Sequence, residues 1–159
     1  MVFQASDIKG SGYMQKRHIN SIILHCSASP PSLDIGASTI RDWHLKRGFD
    51  DIGYHYVIRL NGKIEQGRPI SRIGAHASGF NKHSIGICYV GGVNDKNECE
   101  DTRTDSQKFA MFLLCSKLVE QYNIQNVVGH RDLPRVNKCC PSFDVVSWWG
   151  KCLEILDHF

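Results

Sequence analysis

Two histidines and one cysteine, far apart in the sequence, are the residues whose types could hold a catalytic metal. His25 and His130 each end a short, β-branched apolar run of the kind that forms a buried strand. Cys140 follows the second histidine by ten residues. Two imidazoles and one thiolate make a three-ligand zinc set and leave a fourth position open for water. Because an open position is typical of catalytic zinc, convergence of these residues would indicate a metal-dependent hydrolase.

Two further residues have side chains that would assist hydrolysis beside such a metal. Lys138 lies two residues before Cys140, where its cation could stabilise the oxyanion of a tetrahedral intermediate. Tyr54, within Gly-Tyr-His-Tyr, is a candidate to hydrogen-bond the attacking water and assist proton transfer. The chain lacks the His-Glu-x-x-His pattern, which excludes the common helix-borne metalloprotease site.

Structural roles for the same residues stay open at this point. Buried cysteines and hydrogen-bonded core histidines are common, so spacing alone does not separate a metal site from a structural role. Cys139 is an alternative ligand, although adjacent side chains point apart, and the pair of neighbouring thiols could instead be redox-active. His44, on the apolar face of a predicted helix, is more typical of a packed histidine than of a ligand.

The composition predicts one globular domain over residues 1–159. Hydrophobic residues make up 42% of the chain and charged residues 22%, which is ordinary for a soluble protein. The net charge of +3 is compatible with an anionic polymer but too small to indicate nucleic-acid binding. No apolar run approaches the ~20 residues that a membrane helix needs, so membrane insertion is not expected.

The cysteines and the first residues both predict synthesis in the cytoplasm. Seven cysteines are an odd number, and this count weighs against a disulfide framework. Residues 1–10 lack a basic start followed by an apolar stretch, so no secretory signal is expected. The protein would then act on the cell wall only after release, or on material inside the cell.

Strands and helices alternate along the chain. Apolar runs and an Asn-Gly turn predict strands over residues 20–24, 54–60, 63–66, 84–90 and 126–129. Helices are expected over 37–47, from a capping box at Thr104 to about Tyr122, and from Ser142 onward. The buried stripe of the long helix is predicted to comprise Phe109, Phe112, Leu113, Ser116 and Val119. This order predicts an α/β domain with a mixed central β-sheet flanked by helices, and places both histidines at strand ends.

Seven short motifs in a fixed order resemble one known family, the zinc-dependent N-acetylmuramoyl-L-alanine amidases of the type-2 class. The chain is most similar to the short phage lysozyme-type amidases, and peptidoglycan recognition proteins share the fold. The resemblance covers about residues 19–150, the expected core of the domain. The motifs are His-Cys-Ser-Ala-Ser at 25–29, Ile-Arg-Asp-Trp-His at 40–44, Gly-Tyr-His-Tyr at 53–56, Gly-Ala-His-Ala at 74–77, Asn81 with Ser-Ile-Gly-Ile at 84–87, Gly-His-Arg-Asp at 129–132 and Cys-Pro-Ser-Phe-Asp at 140–144.

The resemblance implies a role for each candidate residue. It implies that zinc is bound by His25, His130 and Cys140, that Tyr54 and Lys138 are catalytic, and that His76 and Asn81 lie along the substrate groove. The presence of Cys140 argues against the non-catalytic recognition proteins, which typically lack that ligand.

The resulting hypothesis is a zinc-dependent enzyme that cleaves the amide between N-acetylmuramic acid and L-alanine in peptidoglycan. Its role would be cell-wall lysis or turnover, as in a phage or prophage endolysin. One alternative is a binding or regulatory protein that recognises muropeptides or, by family analogy only, an RNA polymerase, with a structural zinc. A weaker alternative is a peptidase that acts within the stem peptide.

Overall fold

In the computed structural model, which describes residues 16–159, five strands form one mixed sheet. The strands are β1 Ser21–Cys26, β2 Tyr56–Ile58, β3 Ile64–Gln66, β4 Ser84–Tyr89 and β5 Asn126–Gly129. Their spatial order is β3-β2-β4-β1-β5, with β2, β4, β1 and β5 parallel and β3 antiparallel to β2. The predicted α/β class with a mixed sheet is therefore confirmed.

Three α-helices of the described residues cover the sheet: α1 Ala37–Lys46, α2 Asp105–Tyr122 and α3 Val145–Leu156. The predicted capping box opens α2, because the Thr104 side chain accepts from Gln107 N–H and the Gln107 side chain returns a bond to Thr104 N–H. The last helix begins three residues later than predicted. Ser142 has a positive φ of 67°, and Asp144 is the N-cap, accepting from Ser147 N–H at 3.0 Å.

The two faces of the sheet pack against different helices because successive side chains on a strand alternate. Ile22 and Leu24 of β1 join the larger hydrophobic cluster, to which α2 and α3 contribute. On the opposite face, Cys88 of β4 belongs to a smaller cluster with Ile40 of α1. His25 points to this second face, since it lies one residue beyond Leu24.

The buried stripe predicted for α2 is wrong at two of its five positions, whereas Phe112 and Val119 pack against the larger hydrophobic cluster. Phe109 is 63% exposed and Leu113 is 48% exposed, whereas Phe112, Ser116 and Val119 are half-buried. Both sides of this helix carry apolar residues at helical spacing, so periodicity could not choose between them. The face that packs on the sheet consists of Gln107, Ala110, Met111, Leu114, Cys115 and Leu118.

Among residues 16–159, no helix combines the length and the apolar character that crossing a bilayer requires. The expectation that the chain lacks a secretory signal concerns residues 1–10, which lie outside the described residues.

His55 is a fully buried histidine that joins β2 to its surroundings. Its Nδ1 accepts from Gly86 N–H at 3.0 Å, and its Nε2–H donates to the Arg72 carbonyl at 2.9 Å. Burial is the main cause that lowers the pKa of His55 to about 4, with the charges of Arg17 and Arg68 adding to the effect. The imidazole is therefore neutral in the folded protein at pH 7.

His55 predicts a loss of stability in mild acid. Between pH 6.5 and about 4 the unfolded chain binds a proton at this histidine and the folded chain does not, so stability falls as the pH falls. The loss at this one site is about 3 kcal/mol between pH 7 and pH 4. Urea unfolding with a chelator present should show a flatter pH dependence for a His55→Asn variant, and parallel curves would contradict this assignment.

Candidate metal and active site

The parallel pairing of β1 with β5 brings His25 and His130 together. Leu24 of β1 pairs with Gly129 of β5, and the residue that follows each of them is a histidine. Because the strands are parallel, the two histidines lie at the same end of the sheet. The two imidazole rings are 4.7 Å apart between centroids. A short turn after β5 fixes His130, because Asp132 Oδ2 accepts from Gly129 N–H at 2.7 Å. The prediction that both histidines meet over one sheet edge is confirmed.

Cys140 reaches the same point from the loop before α3. Its carbonyl accepts from Arg131 N–H at 2.8 Å, and its Sγ accepts from Cys26 N–H at 3.4 Å. The Sγ atom lies 3.8 Å from His25 Nδ1. Each of His25, His130 and Cys140 offers one ligand atom, and these three atoms all lie within 4.8 Å of one another. The three residues named from their types therefore form one cluster that can hold a metal ion.

The electrostatic environment keeps both imidazoles neutral, as ligation requires. Burial lowers the pKa of His25 well below its usual value, and the neighbouring His76, His130 and Lys138 lower it further. Burial also lowers the pKa of His130, with Lys138 as the second cause. A neutral imidazole presents a free lone pair, so these shifts favour a cation at the cluster over a proton.

Tyr54 and Lys138 both lie near the cluster. The Tyr54 ring is 5.0 Å from the ring of His25. Burial and the surrounding thiols of Cys88, Cys140 and Cys26 raise the pKa of Tyr54 well above its usual value, so its hydroxyl remains a donor. Lys138 is exposed, and its charge is close enough to both histidines to lower their pKa values.

His76 and Asn81 occupy one loop beside His25. The ring nitrogens His76 Nδ1 and His25 Nε2 are 2.8 Å apart. Asn81 Oδ1 accepts from the backbone N–H groups of His76 and Ala77, each at 2.9 Å. Asn81 therefore fixes the backbone that carries His76.

All seven predicted site residues line one cavity of about 1120 Å³. His44 also borders it, but its Nδ1 accepts from Gly53 N–H at 2.9 Å, as expected for a packed histidine. The sequence reasoning missed several lining residues because isolated cations and aromatics carry no motif. They are Arg47, Phe49, Phe80 and Arg135.

Cys139 is bonded to Cys99 in a disulfide, with the two Cα atoms 6.4 Å apart. The cysteine count weighed against a disulfide framework and gave no sign of this single cross-link; the other five cysteines are free. A count of cysteines cannot reveal that two exposed loops 40 residues apart lie side by side. Ser142 Oγ joins the same two loops by donating to the Gly92 carbonyl at 2.7 Å. With its sulfur in the disulfide, Cys139 is not an alternative ligand.

Comparisons with known proteins identify one family and the same fold. The model of the N-acetylmuramoyl-L-alanine amidase family, Amidase_2, matches residues 15–143. The endolysin of Escherichia phage T7 is 37% identical over 139 residues, 87% of this chain and 91% of that protein. The endolysin of Enterobacteria phage T3 is 40% identical over 131 residues, 82% of this chain and 85% of that protein.

Solved structures extend the agreement to three dimensions. The N-acetylmuramoyl-L-alanine amidase LysC from Clostridium intestinale URNW superimposes with a TM-score of 0.73 at 28% identity. The superposition covers 89% of this chain and 87% of that one.

Substituting Cys139 and substituting the neighbouring Cys140 should have different effects on metal binding and on stability. Cys140→Ser removes the thiol from the cluster and should abolish stoichiometric Zn²⁺ or Co²⁺ binding. Cys139→Ser should keep the metal but lose the cross-link, which lowers the free energy of unfolding by up to about 4 kcal/mol for this loop length. Equilibrium dialysis and urea unfolding measure the two effects, and metal loss in the Cys139 variant would show that the assignment is wrong.

Proposed function

This chain belongs to the N-acetylmuramoyl-L-alanine amidase family, and we propose that it hydrolyses peptidoglycan with a zinc ion bound by His25, His130 and Cys140. The bond cleaved is the amide between the lactyl group of N-acetylmuramic acid and the L-alanine of the stem peptide. The convergence of two imidazoles and one thiol on one wall of a large cavity is the observation that carries the proposal.

The donor set fits zinc in its chemistry, and the three ligand atoms lie within 4.8 Å of one another. On a tetrahedral zinc ion a nitrogen and a sulfur ligand are roughly 3.5 Å apart, given usual bond lengths near 2.0 and 2.3 Å. The 3.8 Å between His25 Nδ1 and Cys140 Sγ matches this spacing. Three protein ligands leave one position for substrate or water, which is the arrangement of catalytic rather than structural zinc.

Tyr54 and Lys138 have separate roles in amide hydrolysis. Zinc, when bound, supplies Lewis acidity toward the scissile carbonyl and activates water. Tyr54 donates a hydrogen bond from its protonated phenol and orients the attacking water, which its raised pKa favours over a role as general base. Lys138 places a positive charge beside the ligands, where negative charge develops on the carbonyl oxygen.

Peptidoglycan is the substrate, as the family implies, and the cavity supports this assignment by its size and its lining. A volume of about 1120 Å³ is larger than a drug-sized pocket and can hold a sugar with part of its stem peptide. We place His76 and Asn81 on the wall of this groove, beside the reacting bond.

Cell-wall lysis is the biological role that the relatives support. Two phage endolysins align with this chain over most of their length at 37% and 40% identity. An RNA polymerase partner stays a prediction from the sequence resemblance.

Product analysis tests the proposed activity. Zinc-loaded protein is incubated with purified peptidoglycan, and the soluble products are identified by mass spectrometry. Free stem peptides that begin with L-alanine are expected from the parent protein and from Cys139→Ser, and none from Cys140→Ser. Fragments cut inside the stem peptide would instead establish a peptidase. If the peptidoglycan stayed intact although the protein held zinc, the proposed enzymatic activity would be refuted.

Lys138→Ala should separate catalysis from metal binding. Loss of one oxyanion-stabilising group lowers the rate by roughly 10²–10³-fold. Zinc content should be unchanged because the lysine is not a ligand. Lys151→Ala on α3 is the matched control and should retain full activity; an equal loss in both variants would refute the specific role.

Tyr54→Phe removes the hydroxyl and keeps the ring beside His25. We expect kcat to fall by roughly 10²-fold, in the range for a single positioned proton-handling group, with stoichiometric zinc retained. Measuring kcat with a soluble muropeptide tests this, and a kcat within twofold of the parent value would remove Tyr54 from the mechanism.

A further inference from the structure

The two ring nitrogens of His25 face in different directions and have different partners. Nδ1 lies 3.8 Å from Cys140 Sγ and faces the metal cluster. Nε2 is turned inward and lies 2.8 Å from Nδ1 of His76. A nitrogen that binds a metal must present its lone pair, so the proton of a neutral imidazole then resides on the other nitrogen. With a metal bound, His25 Nε2–H donates to His76.

The position of the proton on His76 in turn determines how His76 bonds to Ser84 of β4. Because His76 Nδ1 accepts, its proton is on Nε2, which lies 3.3 Å from Ser84 Oγ. The Ser84 hydroxyl in turn donates to the Phe80 carbonyl at 2.7 Å. A backbone carbonyl can only accept, so all three hydrogen bonds run in one direction, from His25 to Phe80.

The fold holds the His76 ring at this position. A Cβ added to Gly86 would lie 2.5 Å from His76 Cγ, and one added to Gly74 would lie 2.6 Å from His76 Cδ2. The two glycines thus leave the space that the imidazole fills. Asn81 fixes the backbone of the same loop through two hydrogen bonds.

The strand register accounts for the meeting of these residues. Ile23 pairs with Gly86 and His25 pairs with Cys88, so Ser84 and Gly86 lie on the face of β4 that adjoins His25. Alternation along β4 places Ser84, Gly86 and Cys88 on one side. Ser84 is 1% exposed and lies outside the lining of the site cavity, although it borders a smaller neighbouring cavity of about 210 Å³.

We propose that His76 and Ser84 are positioning residues that hold His25 in the tautomer and orientation required to bind zinc through Nδ1. The proposal rests on the proposed zinc site, and it changes the main role of His76 from a groove residue to a support of a ligand. Outer hydrogen-bond partners of this kind typically change metal affinity by roughly 10- to 100-fold.

Zinc affinity is the readout that tests this role without depending on catalysis. His76→Leu keeps the bulk of the ring but leaves His25 Nε2–H without an acceptor, so the Kd for zinc should rise roughly 10- to 100-fold. His76→Asn restores an acceptor near the Nδ1 position and should recover most of that loss. His158→Leu removes an exposed histidine after α3, away from Ser84 and the cluster, and is the matched control, with no change in Kd expected.

Three further measurements distinguish a positioning role for His76 from misfolding of the variant and from a role in substrate binding. Thermal unfolding of each metal-free variant establishes that it folds, and Ser84→Ala, which leaves His76 in place, should raise the zinc Kd by a smaller factor. The spectrum of Co²⁺ bound to His76→Leu should differ from that of the parent if the ligand ring has moved.

An unchanged zinc Kd and Co²⁺ spectrum in folded His76→Leu would overturn the proposal, and a rise in KM alone would return His76 to the substrate groove. Failure of the parent protein to release stem peptides would instead refute the amidase site, whatever the zinc affinities.

Discussion

The parallel pairing of β1 with β5 is the constraint on which the site depends. Because Leu24 pairs with Gly129, the two ligand histidines leave adjacent strands at the same level and on the same edge. A slip of one residue would move His25 to the face that packs against α2 and α3, into the larger hydrophobic cluster and away from His130. Register is fixed here because β1 is an internal strand, hydrogen-bonded on both sides and almost completely buried.

The other neighbour of β1 supplies the support behind the ligands. On β4, Gly86 leaves room for an imidazole and Ser84 accepts from it, whereas alternate residues Ile85 and Ile87 enter the opposite hydrophobic cluster. One face of the sheet thus builds the core, and the other orients polar groups. The third ligand comes from a loop, and the disulfide of the adjacent Cys139 ties that loop to Cys99.

Features set by residues close together in the sequence could be predicted, whereas features set by contacts between distant residues could not. Strands with β-branched runs, the hairpin and the α2 cap are local, so the sequence predicted them closely. Six of the seven predicted site residues lie in the motifs, Lys138 was named from its position two residues before Cys140, and all seven line the cavity. The α2 stripe failed because Phe109 and Leu113 compete with Met111 and Leu114 at equal spacing, and only tertiary packing chooses between them. The disulfide and the Ser84 contact join residues without a local pattern, so only the three-dimensional structure revealed them.

The central claim is that the metal has three protein ligands and one open position. X-ray absorption at the zinc edge of the zinc-loaded protein measures the ligand set directly. We expect two imidazole nitrogens, one sulfur and one exchangeable oxygen donor, from His25, His130, Cys140 and solvent. A second sulfur or a shell of four protein ligands would contradict it, and would make the metal structural rather than catalytic.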